Sequence, residues 1–113
     1  MHKTEAGKHR AALQAKQSQL VQALRHRDAI TIQKAPDLLE ETQLAADREL
    51  AIRTLNRESS RLRDVNAALQ RIASGAYGIC LHCEEPINPK RLDALPWAAY
   101  CVKCQEEIDR EGN

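Results

Sequence analysis

Two cysteine pairs, Cys80–Cys83 and Cys101–Cys104, form a C-x2-C-x17-C-x2-C pattern near the end of this 113-residue chain. This spacing constrains the fold more than any other feature. A two-residue gap turns two thiolates toward one point, and the long gap lets a second pair return from another element. Four thiolates at ~2.3 Å saturate a tetrahedral Zn2+ and leave no position for water. One structural zinc, held by Cys80, Cys83, Cys101 and Cys104, is therefore expected, and hydrolytic metal chemistry is not. The competing readings are two disulfides or free thiols. A thioredoxin-like pair is disfavoured because no βαβ pattern flanks either knuckle.

The chain needs such a clamp. It has no Phe, two Tyr and one Trp, and large aromatics supply much of the buried area of small cores. No apolar run approaches the ~20 residues of a membrane span. The opening MHKTEAGKHRAALQAKQ lacks the apolar segment of a secretory signal. A cytoplasmic location follows as the expectation, and a reducing compartment favours metal over disulfides.

Before the cysteines the chain reads as two long helices. From residue 5 to about 32 the only Gly is Gly7, Pro is absent, and Leu13, Leu20 and Leu24 form a narrow apolar stripe beside Ala12 and Ala23. Ile30-Thr31-Ile32 alternates weakly and is read as a helix end. Pro36 breaks the pattern. Asp37 and, three residues on, Glu40 resemble a capping box that opens a second helix from about Leu38 to Ser74. Leu62, Val65, Leu69 and Ile72 follow the 3-4-3 spacing of a coiled-coil seam. Leu44, Ala51 and Leu55 extend it backward, and Gly75 suits a C-terminal cap. Neither stripe is wide enough to stand alone, so an antiparallel hairpin with its tip near 33–42 is expected. The alternative is a parallel dimer through the second helix. The expected fold is mainly α: a coiled-coil hairpin over 1–75, then a four-cysteine finger with a short C-terminal helix over 76–113. In the finger, Ile79, Ile87, Leu92, Leu95, Trp97 and Tyr100 are the candidate core, with Pro86, Asn88 and Pro89 in the loop and a helix over Val102–Arg110. His82, inside the first knuckle, is expected to face solvent. His2, His9 and His26 are expected at the surface of a polar helix.

Charge is uneven. Residues 1–35 carry a net +5, residues 36–79 a net −1 and residues 80–113 a net −3. A finger that grips DNA phosphates is normally basic itself, so this balance argues against a DNA-binding finger even though GATA-type fingers share the cysteine spacing. A redox sensor using zinc thiolates and a purely structural coiled-coil adaptor are the other rivals. No Ser/His/Asp pattern, Gly-rich phosphate loop or open metal site suggests an enzyme.

The stretch YGICLHCEEPINPKRLDALPWAAYCVKC resembles the zinc-finger signature of the DksA/TraR family of bacterial transcription regulators. The resemblance rests on Tyr77-Gly78 before the first knuckle, Ile87 and Leu92, the Arg91-Leu92-x-Ala94-x-Pro96 run and the x17 spacing. Upstream, ELAIRTLNRE and Gly75-x-x-Gly78 are similar as well. The likeness implies a monomeric binding protein that inserts a coiled-coil tip into the secondary channel of RNA polymerase and reads no DNA sequence. Counting back from Cys80 without gaps, the family's acidic tip motif, Asp-x-x-Asp-x-Ala, falls on Asp37, Glu40 and Thr42. The first acid is kept, the second is longer, and Thr replaces Ala. The same acids also suit capping of the second helix. Positions implied to bind guanosine tetraphosphate hold Asp64, Leu95 and Gln105, none of them the cation that phosphate recognition wants. The extra N-terminal segment of longer members has no counterpart before the first helix. A weak or absent nucleotide response is therefore expected. The basic first helix is either a solvated face or a complement to acidic polymerase surface.

Overall fold

The computed structural model describes the backbone of residues 3–33 and 41–112, with side chains described over 5–26 and 43–112. Among these residues four helices follow one another: α1 (Lys3–Gln33), α2 (Glu41–Ser74), α3 (Pro89–Ala94) and α4 (Val102–Glu111). Among the described residues there is no strand. An isolated antiparallel bridge joins Ile79 to Pro86. The molecule is elongated, 57 × 31 × 20 Å along its principal axes. That length suits a rod of 34 residues in α2 rising ~1.5 Å per residue. The expected start of the second helix at Leu38, and the tip acids Asp37 and Glu40, lie outside the described residues. Thr42 falls in the first turn of α2, with its side chain outside them.

α1 and α2 run antiparallel against each other. The start of α1 meets the chain just past the end of α2, while a later residue of α1 meets an earlier part of α2, which fixes the direction. His9 lies against Tyr77 with ring centroids 5.6 Å apart. Lys16 and Arg61 flank Trp97, at 5.8 and 4.4 Å from its ring centre. Gln17 donates from Nε2 to Asn66 Oδ1 at 2.7 Å. The expected antiparallel hairpin thus forms within one chain.

The seam is where the apolar spacing put it, but only in the half nearer the finger. Leu13 and Leu20 of α1 bury against Val65, Ala68 and Ile72 of α2, with Leu62 and Leu69 packed alongside. Each such large aliphatic removed from water stabilises by about 1.5–3 kcal/mol. Ala12 and Ala51, expected along the stripe, are exposed. The helix turns them away, and an alanine offers little area to hold a seam.

α2 stops at a Schellman-type cap. Gly75 adopts φ 81°, its N–H bonds Ile72 O at 3.2 Å, and Ala76 N–H reaches back to Arg71 O at 2.9 Å. A left-handed residue here strongly favours glycine. The chain then turns into the finger, which extends the core beyond the rod. Tyr77, Ile87, Leu92 and Ala98 are buried and continuous with the seam, and Trp97 and Tyr100 pack against them. Ile79 and Leu95 do not join this core. They are 40% and 36% exposed, because the bridge to Pro86 and the end of α3 point them outward. Asn88-Pro89, expected as loop, opens α3 instead. Asn88 caps the helix by accepting Lys90 N–H on its Oδ1 at 2.9 Å, and Pro89 occupies the first turn, where its missing N–H costs nothing.

His9 is the clearest departure from expectation. Its helix reads as a solvated polar face, yet His9 is only 5% exposed. The first helix packs on the finger as well as on α2, and that contact covers His9. Its Nε2 lies 3.8 Å from the Asp93 carboxylate, beside Lys8 Nζ at 3.8 Å from the same oxygen.

Candidate metal centre

Each knuckle is built by local backbone chemistry. After Tyr77, Gly78 takes φ 88°, and its carbonyl accepts Ile87 N–H at 2.8 Å. Cys80 N–H donates to Glu85 O at 2.9 Å, and Glu84 N–H returns to Cys80 O at 3.0 Å. Closing the knuckle forces Glu84 to φ 63°, the left-handed region that non-glycine residues seldom occupy. These bonds fold Leu81–Cys83 into a tight loop with Cys80 buried at its base.

The second knuckle leads into α4. Cys101 is the N-cap of that helix, yet its side chain makes no capping hydrogen bond. Its sulfur is turned instead toward the other cysteines. Cys104 sits in the first turn of α4, where the outward N–H groups and helix dipole favour negative charge. Leu81 N–H donates to Ala99 O at 2.9 Å and stitches the two knuckles together. Arg91 Nε donates to Tyr100 O at 3.0 Å and pins the approach to Cys101. From below, buried Tyr77 donates its hydroxyl to Pro96 O at 2.7 Å. Burial pushes the Tyr77 phenol up to about 12, against the opposing pull of Arg71.

The four sulfurs of Cys80, Cys83, Cys101 and Cys104 all lie within 4.8 Å of one another. Cys83 Sγ and Cys101 Sγ are 3.9 Å apart, matching the ~3.8 Å edge of a tetrahedron drawn at a zinc–sulfur length of ~2.3 Å. The spacing is far too long for a disulfide, whose sulfurs bond at ~2.05 Å, and all four cysteines are free. The electrostatics point the same way. Burial raises the Cys80 thiol, yet backbone N–H groups of Cys83, Cys101 and His82 aimed at its sulfur bring it down to about 6. Cys104 is pushed up by burial and by the three neighbouring sulfurs. Four thiols this close cannot all ionise against one another, and a divalent cation at their centre removes that conflict.

His82, as expected, is exposed. Its ring and the Glu107 carboxylate nevertheless approach Cys104, the three donor atoms lying within 4.8 Å of one another. Sequence reading passed over Glu107. The available signal was its position one helical turn after Cys104. The positions expected to correspond to the nucleotide site are Asp64, Leu95 and Gln105. Asp64 pairs with Arg61 at 3.5 Å, Gln105 donates to Asp109 at 2.9 Å, and Leu95 is partly exposed. No described helix is long and apolar enough to cross a membrane.

Residues 75–110 match the prokaryotic dksA/traR C4-type zinc finger. The chain is 45% identical over 69 residues to an uncharacterised protein of Aquifex aeolicus, covering 61% of this chain and 48% of that one. It is 36% identical over 74 residues to the RNA polymerase-binding transcription factor DksA of Caulobacter vibrioides, covering 66% of this chain and 52% of that one. The chain thus spans about half the length of the curated relatives it matches. In fold it is similar to transcription factor DksA2 from Pseudomonas aeruginosa, with a TM-score of 0.83 at 24% identity over 99% of this chain and 88% of that one. The finger match and the four-sulfur cluster identify one structural zinc ion as the cofactor.

Proposed function

Because the chain belongs to the DksA/TraR family of zinc-finger proteins, we propose that it binds bacterial RNA polymerase and modulates transcription initiation without reading DNA sequence. Cys80, Cys83, Cys101 and Cys104 hold the zinc. The zinc-clamped finger anchors a two-helix rod, and the rod carries the hairpin tip into the secondary channel. Asp37 and Glu40 bring carboxylates toward the active centre, and Thr42 alters the fit of that tip. The protein acts as a cytoplasmic monomer, is not an enzyme, and responds weakly or not at all to guanosine tetraphosphate.

The observation that carries this reading is a rod welded to its base. Buried contacts run without a break from the α1–α2 seam into the finger, as a lever entering a narrow channel requires. The likeness to a relative whose name states polymerase binding gives the reading its partner.

A pull-down of bacterial RNA polymerase by the full chain, followed by initiation assays, tests it. Asp37→Asn keeps a capping side chain but removes the charge. The variant is expected to bind polymerase and lose most of the effect on initiation. Wild-type regulation by Asp37→Asn sinks the role of the tip acid, and failure of the wild-type chain to bind sinks the whole reading.

A further inference from the structure

We propose that His82, Cys104 and Glu107 form a second, weaker cation site, which shares the Cys104 thiolate with the structural zinc and takes a borderline divalent ion such as a second Zn2+. The inference rests on the four-thiolate reading of the first site.

Three donors of different chemistry converge from two elements. His82 comes from the loop between Cys80 and Cys83, while Cys104 and Glu107 stand one turn apart on α4. One donor atom from each lies within 4.8 Å of the other two. Imidazole, thiolate and carboxylate are the ligand types that zinc accepts, at ~2.0–2.3 Å. Donors around such an ion sit roughly 3.3–3.8 Å apart. His82 is exposed, so rotation of its side chain can close that gap without moving the backbone.

Cys104 is suited to bridging. A thiolate gives one lone pair to the first ion and retains others. Because Cys104 is buried while His82 is exposed, its sulfur is approached by the finger cluster and by the surface pair at once. Charge favours a further cation. Four thiolates around one Zn2+ leave a net charge of about −2, and Glu107 adds another negative charge. The surrounding finger is acidic too, with seven Asp/Glu against four Lys/Arg over residues 80–113. Three protein ligands, one of them shared, bind less tightly than four thiolates and leave a position for water or an incoming ligand. The second site is therefore placed to hand an ion to the finger, or accept one from it, through the common sulfur.

Native mass spectrometry of the full chain, loaded with one zinc and then titrated with Zn2+, reads the stoichiometry directly. Wild type is expected to reach two ions. His82→Ala and Glu107→Gln are each expected to keep the first ion and bind the second about tenfold or more weakly, at least the penalty of losing an outer ligand partner. Glu106→Gln, one residue away on the exposed side of α4, retains both. Co2+ added to the one-zinc chain reports the shared sulfur, because a thiolate-to-cobalt charge-transfer band appears in wild type and fades in His82→Ala while the zinc count stays at one. A second ion bound equally by every variant, cobalt uptake without that band, or a wild type that stops at one ion overturns the proposal alone. A chain that binds no zinc at all overturns the four-thiolate reading and this site with it.

Discussion

The two ends of the rod obey the same apolar spacing and reach different outcomes. Near the finger, Leu13, Val65 and Ala68 are fully buried and Leu20 and Ile72 nearly so. Farther out along α2, Leu44 and Leu55 are only half-buried, while Leu50 and Ile52 are 59% and 56% exposed. Two helices meeting along a narrow stripe can cover only the residues between them. At the base the finger adds a third wall: Tyr77, Trp97 and Ala98 close over the seam. A heptad pattern thus marks where helices can touch, and the depth of burial depends on what else is present to cover the touching face.

Removing the metal tests this contrast most severely. Chelation, or Cys104→Ser, is expected to unfold residues 76–111 and strip the third wall from the base. Structural zinc contributes on the order of 10 kcal/mol in small zinc domains, more than the whole stability of many domains. Hydrogen exchange after chelation should show protection lost in the finger and in the α1 and α2 turns beside it. Persistence of a protected base would mean that the two helices support themselves.

Next in size is a paired substitution. Leu13→Ala at the base is expected to cost about 2–5 kcal/mol. Leu50→Ala on the outer rod should stay within about 0.5 kcal/mol. Urea titrations of the two variants give the difference, and equal costs would erase the distinction between the ends.

Alkaline pH sharpens it further. The Tyr77 phenol has its folded pKa raised to about 12 by burial, above an ordinary value near 10. The neutral form is therefore favoured by folding. That contribution is fully present below about pH 10 and is lost as pH rises toward and through about 12. Tyr77→Phe should lack this fall in stability between pH 10 and 12. It should also lose about 0.5–1.5 kcal/mol at neutral pH with the hydrogen bond to Pro96 O. Melting curves of both proteins across that range decide the point.

Smallest is the pair of cations on Trp97. Arg61→Ala should cost about 0.5–1 kcal/mol, the usual value for a cation over an exposed aromatic face. It should also shift the fluorescence of the single tryptophan, which reports the junction of rod and finger. A silent spectrum would show that Trp97 is held by the finger alone.

Much of this architecture was legible from residue spacing. The cysteine pattern fixes where four sulfurs meet, since two-residue gaps and tetrahedral geometry leave little freedom. The 3-4-3 run through Leu62 and Ile72 marks the seam, and Gly75 marks its end. Other features depend on neighbours remote in sequence, which a one-dimensional pattern cannot supply. His9 looks like a surface residue until the finger folds against α1. Ile79 and Leu95 look like core residues until the bridge at Pro86 and the end of α3 turn them out. Asn88-Pro89 reads equally well as a turn or as a cap and first helical residue, and the winning alternative is set by burial of Leu92 behind it. Glu107 acquires interest only when α4 brings it beside His82.

The contact between His9 and Tyr77 also dictates an order of assembly. α1 leaves the ribosome well before the finger that covers its near end, and the finger needs metal to hold its shape. Until then the near end of α1 has only α2 to lie on. Newly made chains short of zinc would therefore be fully synthesised and yet wait half-zipped, open to proteases along a helix far from any cysteine. Supply of the ion would then bear on how much finished protein survives.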